Sequence, residues 1–260
     1  KIVFPTIGSE INGFTTEFAT DNNNIASNST VSINHTPLLI ETKTNLDRLE
    51  TIIFANGSNI LLANTEKYHL VASPSIILVH NDKTTQLTGQ LDLSHSKLDL
   101  TTFDTFETIP NNDITFTHSK EKQANSKFHL NMAINLLKKN QMIGYGLDTE
   151  VTGSFTVTDS PSKQLQANNG YLELKNGTMS AYGHTLKIKD NSVITYNSDL
   201  LSNPKLNVTA TDIITDTQSN DKSGVMGKYE VGIIVTGPLD SRKVELYSNP
   251  PNSLSQEDIL

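Results

Sequence analysis

The chain has no cysteine and no tryptophan. Without thiols, a disulfide scaffold, a thiolate metal site and a cysteine nucleophile are all excluded. The absence is compatible with an oxidising compartment without fixing one. Without tryptophan, the large flat ring best suited to stacking on a sugar is missing. Hydrophobic residues make up only 35% of the 260 positions, below the globular norm. That length suffices for one large β domain or two small ones. Twenty Lys and Arg face 28 Asp and Glu, for a formal net charge of -8. No basic stripe is present to release counterions from a nucleic acid, so none is expected as a partner. Net charge likewise offers no attraction to an anionic membrane surface. Apolar clusters such as Ile76-Ile77-Leu78-Val79 fall well short of the roughly 20 residues that span a bilayer. Lys1 carries neither an initiating Met nor a signal-like segment, so the expectation is a piece of a longer chain.

Catalytic signatures are equally scarce. His35, His69, His80, His95, His118, His129 and His184 show no HxH or HExxH spacing, so a zinc site has no local support. Neither a GxSxG elbow nor a phosphate-binding loop occurs. Gly144-Tyr145-Gly146 is too short for a dinucleotide loop and reads as a bulge or turn. Asp104 and Glu107 read as solvated carboxylates rather than a glycosidase pair. No enzymatic activity and no cofactor are expected.

What the chain does have is alternation. Asn, Thr and Ser are abundant and compete with a helical backbone, whereas short strands joined by polar turns suit them. In Tyr171–Lys175, Leu172 and Leu174 oppose Glu173 and Lys175; in Thr185–Lys189, Leu186 and Ile188 oppose Lys187 and Lys189. Leu206, Val208 and Ala210 then oppose Asn207 and Thr209. A period of two with one apolar face marks an antiparallel sheet wetted on one side. Asn176-Gly177, Asp190-Asn191 and Asn203-Pro204 read as turns between these runs, and Asn56-Gly57 as a hairpin. The same pattern recurs in Leu87–Leu93, Phe128–Ile134, Val151–Val157 and Tyr229–Val235. Near the N-terminus Ile11, Gly13 and Thr15 oppose Asn12, Phe14 and Thr16. Thr44–Phe54 fits both a short helix and a strand, and strand flanks favour the latter. Lys120–Lys127 reads as a loop, and Ser255 as the cap of a terminal helical turn. On the order of fifteen strands of about 5–6 residues result. Parity alone leaves two architectures open, a closed sandwich or one sheet bent so that its apolar face lines a groove.

The order of these segments carries a resemblance. A Gly170-initiated strand is followed by Ala181-Tyr182-Gly183, by Leu186-Lys187-Ile188 and by Asn203-Pro204-Lys205-Leu206. Val235-Thr236-Gly237 then precedes Leu246-Tyr247-Ser248-Asn249-Pro250 and the closing Leu254–Leu260, LSQEDIL. The chain resembles the C-terminal domain family of TamB, the inner-membrane subunit of the translocation and assembly module, most densely over 58–260. The resemblance implies a single all-β domain over 1–260, an elongated, curved antiparallel sheet (a β-taco) enclosing a hydrophobic groove. It implies a periplasmic location, in a protein anchored in the inner membrane by an N-terminal helix outside this chain. The partner it implies is TamA, an outer-membrane barrel protein, and the function is phospholipid movement between the membranes. An assembly role for outer-membrane β-barrels and autotransporters is the alternative. Shared parity then makes Leu91, Leu93, Leu172, Leu174, Leu186, Ile188, Leu206, Val208, Val231, Ile233 and Val235 the expected lining of the groove.

Overall fold

The computed structural model describes residues 1–99, 127–159, 164–181, 183–216 and 227–250. These form one sheet of 18 strands. The first group is β1 (Ile2–Phe4), β2 (Ser9–Asp21), β3 (Asn24–Ile33), β4 (Thr36–Asn45), β5 (Glu50–Gly57) and β6 (Ile60–Asn64). Then come β7 (Tyr68–His80), β8 (Thr84–Leu93), β9 (Lys97–Asp99), β10 (Lys127–Gly144), β11 (Leu147–Asp159) and β12 (Leu165–Ala181). The last are β13 (His184–Ile188), β14 (Val193–Tyr196), β15 (Asp199–Leu200), β16 (Lys205–Asp216), β17 (Gly227–Pro238) and β18 (Lys243–Asn249). Neighbours in the chain are mostly neighbours in the sheet, so it grows as a ribbon from β1 to β18.

The all-β reading holds, with one departure from antiparallel order. β10 runs parallel to β8, from Lys127↔Thr84 to Leu136↔Leu93, and parallel to β9 from Gln141↔Lys97. The joint is interrupted by two facing kinks, at His95 (φ 54°) and Lys139 (φ 52°). The His95 N–H donates to the Lys138 carbonyl at 2.9 Å, and the Gln141 N–H to the Ser96 carbonyl at 2.7 Å. Fully buried Asn140 fills the gap. Its Nδ2 donates to the Leu93 carbonyl at 3.2 Å, and its Oδ1 accepts the Ser96 N–H at 3.3 Å. Ser96 Oγ in turn exchanges hydrogen bonds with the Val71 carbonyl (3.2 Å) and N–H (3.0 Å). Asn140 and Ser96 thus tie β7, the β8–β9 link and β10 together where the ladder is broken.

At the N-terminal end the sheet curls. In a flat sheet β2 would lie three strand spacings, about 14 Å, from the position of β6. Instead the Ser9 hydroxyl donates to the Leu62 carbonyl, and Asn34 Nδ2 donates to the Leu61 carbonyl at 2.7 Å. Asn34 Oδ1 also accepts the Glu10 N–H at 2.8 Å. Gly8, at φ 62°, passes so close to Asn64 that a Cβ would run into its carbonyl.

Several turn readings are corrected. Asn56-Gly57 makes no hairpin: β5 and β6 both pair with β7, end to end, and not with each other. Asn176-Gly177 lies inside β12, as a bulge where Asp148↔Thr178 gives way to Glu150↔Lys175; Asn176 takes the φ of 51° that this requires. Gly13, at φ 68°, is another bulge. It flips parity so that Phe14 shares a face with Ile11 rather than opposing it. The Gly144-Tyr145-Gly146 reading holds: Tyr145 and Gly146 form the turn from β10 into β11. Thr44–Phe54 is strand, turn and strand. Asp104, Glu107, His118, Lys120–Ser126 and Leu254–Leu260 lie outside the described residues.

Removing the buried amide in Asn140→Ala leaves the Ser96 N–H and Leu93 carbonyl without their partner. A loss of about 1–3 kcal/mol is expected in urea unfolding monitored by circular dichroism.

Candidate functional site: a charge-free sheet face

Residues paired directly across a ladder share a face, so the register traces that face across the molecule. One row runs Ile60↔Ala72↔Leu93↔Leu136↔Gly153↔Leu172↔Ile194↔Leu206↔Gly237. A second runs Ile188↔Ala210↔Ile233↔Leu246, and a third Val208↔Val235↔Val244. These rows define the inner face. Gly153 sits in the first row at φ 133°, where a Cβ would strike the Tyr171 carbonyl. On β2 to β5, β7, β8 and the first half of β10, up to Leu136, the inner positions hold no Asp, Glu, Lys or Arg. The charges Glu17, Glu41, Lys43, Asp92, Glu173, Lys175 and Lys187 all project from the opposite face.

The predicted lining residues all lie on or at the end of this face, in different degrees of enclosure. Leu172, Leu174, Leu186, Val208, Ile233 and Val235 belong to one packed cluster, with Leu136, Met142, Val151, Ile194 and Ala210. Ile188 and Leu206 are half-buried against it. Leu93 and Val231 are buried outside the cluster, and Leu91 is half-buried on β8. Val231 pairs with Asp212, where the face turns polar at the strand end. The expected lining omits Leu136, Val151 and Ile194: Val151 begins a run already read as alternating, whereas Leu136 stands beside Leu137 and Ile194 beside Val193, where the alternation is broken. Sequence reasoning also misses Asn140, for which no periodic signal exists.

Tyr196 packs onto the cluster. Its ring lies 5.3 Å from that of Phe155, tilted by 35°, and its hydroxyl donates to the Leu201 carbonyl at 3.1 Å. Burial, helped by the charge of Asp199, pushes its phenol up to about 12.

The opposite face carries a polar pin. Glu230 accepts from Lys189 Nζ at 2.7 Å, from Thr211 Oγ1 at 2.9 Å and from the Tyr247 hydroxyl at 3.3 Å. These contacts, Lys189 foremost, hold the Glu230 carboxyl below its usual range, and Glu230 raises the Lys189 ammonium. The pin staples the loop after β13 to β16, β17 and β18 and has no reactive partner. Among the described residues, no group of three or more His, Asp or Glu could hold a metal ion. No helix there is long and apolar enough to cross a membrane. A shallow concavity of about 510 Å³ lies over β2–β4, away from the packed cluster. It includes Glu17 and Glu41 beside Leu39 and Ile40 and is not a built site.

A many-stranded ribbon sheet with one face free of charge over β2 to β5, β7, β8 and the first half of β10, and with no metal-ligating group among the described residues, defines a class of all-β scaffold. The TamB C-terminal domain family matches residues 16–260, and the chain belongs to that family. One relative is the translocation and assembly module subunit TamB of Haemophilus influenzae (strain ATCC 51907 / DSM 11121 / KW20 / Rd), 24% identical over 229 residues. The match covers 82% of this chain and 17% of that relative, so the chain spans about a sixth of its length.

The packing sets two expectations. Leu174→Ala, at a side chain 1% exposed, is expected to cost about 2–5 kcal/mol in chemical denaturation. The unfolded phenol of Tyr196 titrates near 10 and so loses its proton before the folded one. Its contribution is intact below pH 10 and declines as pH rises through about 12, by on the order of 2–3 kcal/mol. Ultraviolet phenolate absorbance should show one tyrosine titrating late, absent in Tyr196→Phe.

Proposed function

We propose that this chain is a periplasmic segment of a bridge-like lipid carrier, in which phospholipid acyl chains lie against the inner face. In this reading the domain is part of a protein anchored in the inner membrane and works with a TamA-like outer-membrane barrel protein. The observation that carries the reading is the segregation of charge: a face crossing most of the sheet, with no charged side chain on β2 to β5, β7, β8 or the first half of β10. Hydrocarbon needs only apolar area, about 0.8 kcal/mol per buried methylene, and no specific contacts. Membership of the TamB C-terminal domain family and the name of the Haemophilus relative support an envelope role.

A second reading, assistance to outer-membrane β-barrel assembly, draws on the same relative's name and on edge strand β18, which pairs only with β17 among the described residues. A nascent strand could add to that edge. The two differ in what occupies the inner face. Mass spectrometry of an organic extract from a gently purified, detergent-free preparation is expected to find stoichiometric phospholipid. Ile40→Asp combined with Leu91→Asp, at half-buried inner positions, is expected to abolish it while the protein stays folded. Lipid-free wild-type protein that retains bound peptide would move the assignment to the assembly reading.

A further inference from the structure

The inner face is not uniform along the ribbon. From β11 to β17 its apolar side chains are mostly shut away: Leu172 is 3% exposed and Val235 2%, and Phe155, Ile188, Tyr196 and Leu206 pack onto the same cluster. From β2 to the first half of β10 the same face is buried at Val31, Ile60, Ala72, Leu93, Met132 and Leu136 and open at other positions. Phe14 is 63% exposed, Phe18 71% and Phe128 51%, while Leu38, Ile40, Ile53, Ile76, Leu78 and Leu87 are only half-buried. All of these share the inner parity by register. Exposed aromatics concentrated on one charge-free face are an unsatisfied apolar surface. The curl that brings Ser9 and Asn34 onto β6 ties down one end of that surface. The boundary falls between β10 and β11, where Leu136 joins the cluster that holds Val151 and Leu172 and inner side chains meet each other.

We infer that the hydrocarbon-binding site is confined to the N-terminal arc, β2 to β8 and the first half of β10, and that β11 to β17 form a dry wall that ends it. This rests on the lipid-carrier reading and narrows it. The occupant is an acyl chain rather than a peptide. The arc's inner positions offer no charged group to pair with side chains, and their backbone groups are already committed to the ladders. A chain held only by apolar contact needs neither.

The test is photocrosslinking in the intact protein within its native envelope, with cell phospholipid labelled by [32P]orthophosphate. p-Benzoylphenylalanine is placed singly at Phe18, Ile40 and Phe128 in the open arc, at Phe155 and Leu206 in the closed arc, and at outward-facing Leu39. Three of these replace a phenylalanine with a larger aromatic, and protease resistance reports that each variant folds. The expected result is 32P-labelled protein at the open-arc sites, about tenfold above the closed-arc and Leu39 sites, the ratio that two buried methylenes would give. Equal labelling of both arcs would overturn the confinement and leave the lipid reading standing. Labelling of neither, or polypeptide adducts at Phe18 and Ile40 in place of lipid, would overturn both. Labelling at Leu39 equal to that at Ile40 would reduce the signal to nonspecific membrane contact and overturn the inference.

Discussion

The structure depends on keeping one register through a broken ladder. A slip of one residue in any strand moves its whole apolar set to the wet face, and the risk is greatest where β8 gives way to β9 along β10. There the parallel pairing stops at Leu136↔Leu93 and resumes at Gln141↔Lys97, so four residues of one strand face three of the other. A buried backbone left unpaired at such a gap is costly. Asn140 removes that cost with a single side chain that both donates and accepts, and Ser96 extends the repair to β7. With the gap's polar groups satisfied, the pairing that stops at Leu136↔Leu93 resumes at Gln141↔Lys97.

That constraint explains which parts of the fold are legible in the sequence. Parity alone places Leu172, Leu174, Leu186, Val208, Ile233 and Val235 on one face, and the register puts them there. Within an unbroken strand, alternation is the geometry. Parity fails where a bulge inserts a residue: at Gly13, where Phe14 changes face, and at Asn176-Gly177, where a turn-like dipeptide sits inside a strand. Asn-Gly supplies the positive φ that a hairpin needs, but a bulge uses the same φ, so the dipeptide alone does not distinguish them. The Asn56-Gly57 reading fails for a different reason. After that dipeptide the chain leaves the edge of β5 and continues along β7 as β6, a choice of partner made by tertiary packing. The site is legible in the same measure: its face is readable from parity, its enclosure is not.

Charge segregation and closure are separate properties, and the ribbon separates them. Keeping Asp, Glu, Lys and Arg off the inner face needs only strict alternation, which holds through the Ser- and Thr-rich strands β2 to β5, whereas Asp159, Asp199 and Asp212 take inner positions in the later strands. Closure needs enough apolar volume to exclude water. On β16 the inner positions are Leu206, Val208 and Ala210, facing Gly237, Val235 and Ile233. On β3 they are Ile25, Ser27, Ser29 and Val31, facing Thr20, Phe18, Thr16 and Phe14.

The hydroxyls on β2–β4 decide the difference. Ser29 Oγ donates to Thr16 Oγ1 at 2.9 Å, and Thr44 and Thr51 hydroxyls meet at 3.1 Å. Paired hydroxyls lower the cost of partial burial but supply little of the driving force that shuts a core. A sheet built this way is apolar enough to repel charge and too polar to collapse on itself. An all-leucine inner face would close or aggregate; an all-serine one would hold water. The mixture on β2–β4, with Phe14 and Phe18 exposed, leaves a surface that stays open, whereas the same alternation with fuller side chains on β11–β17 produces a wall.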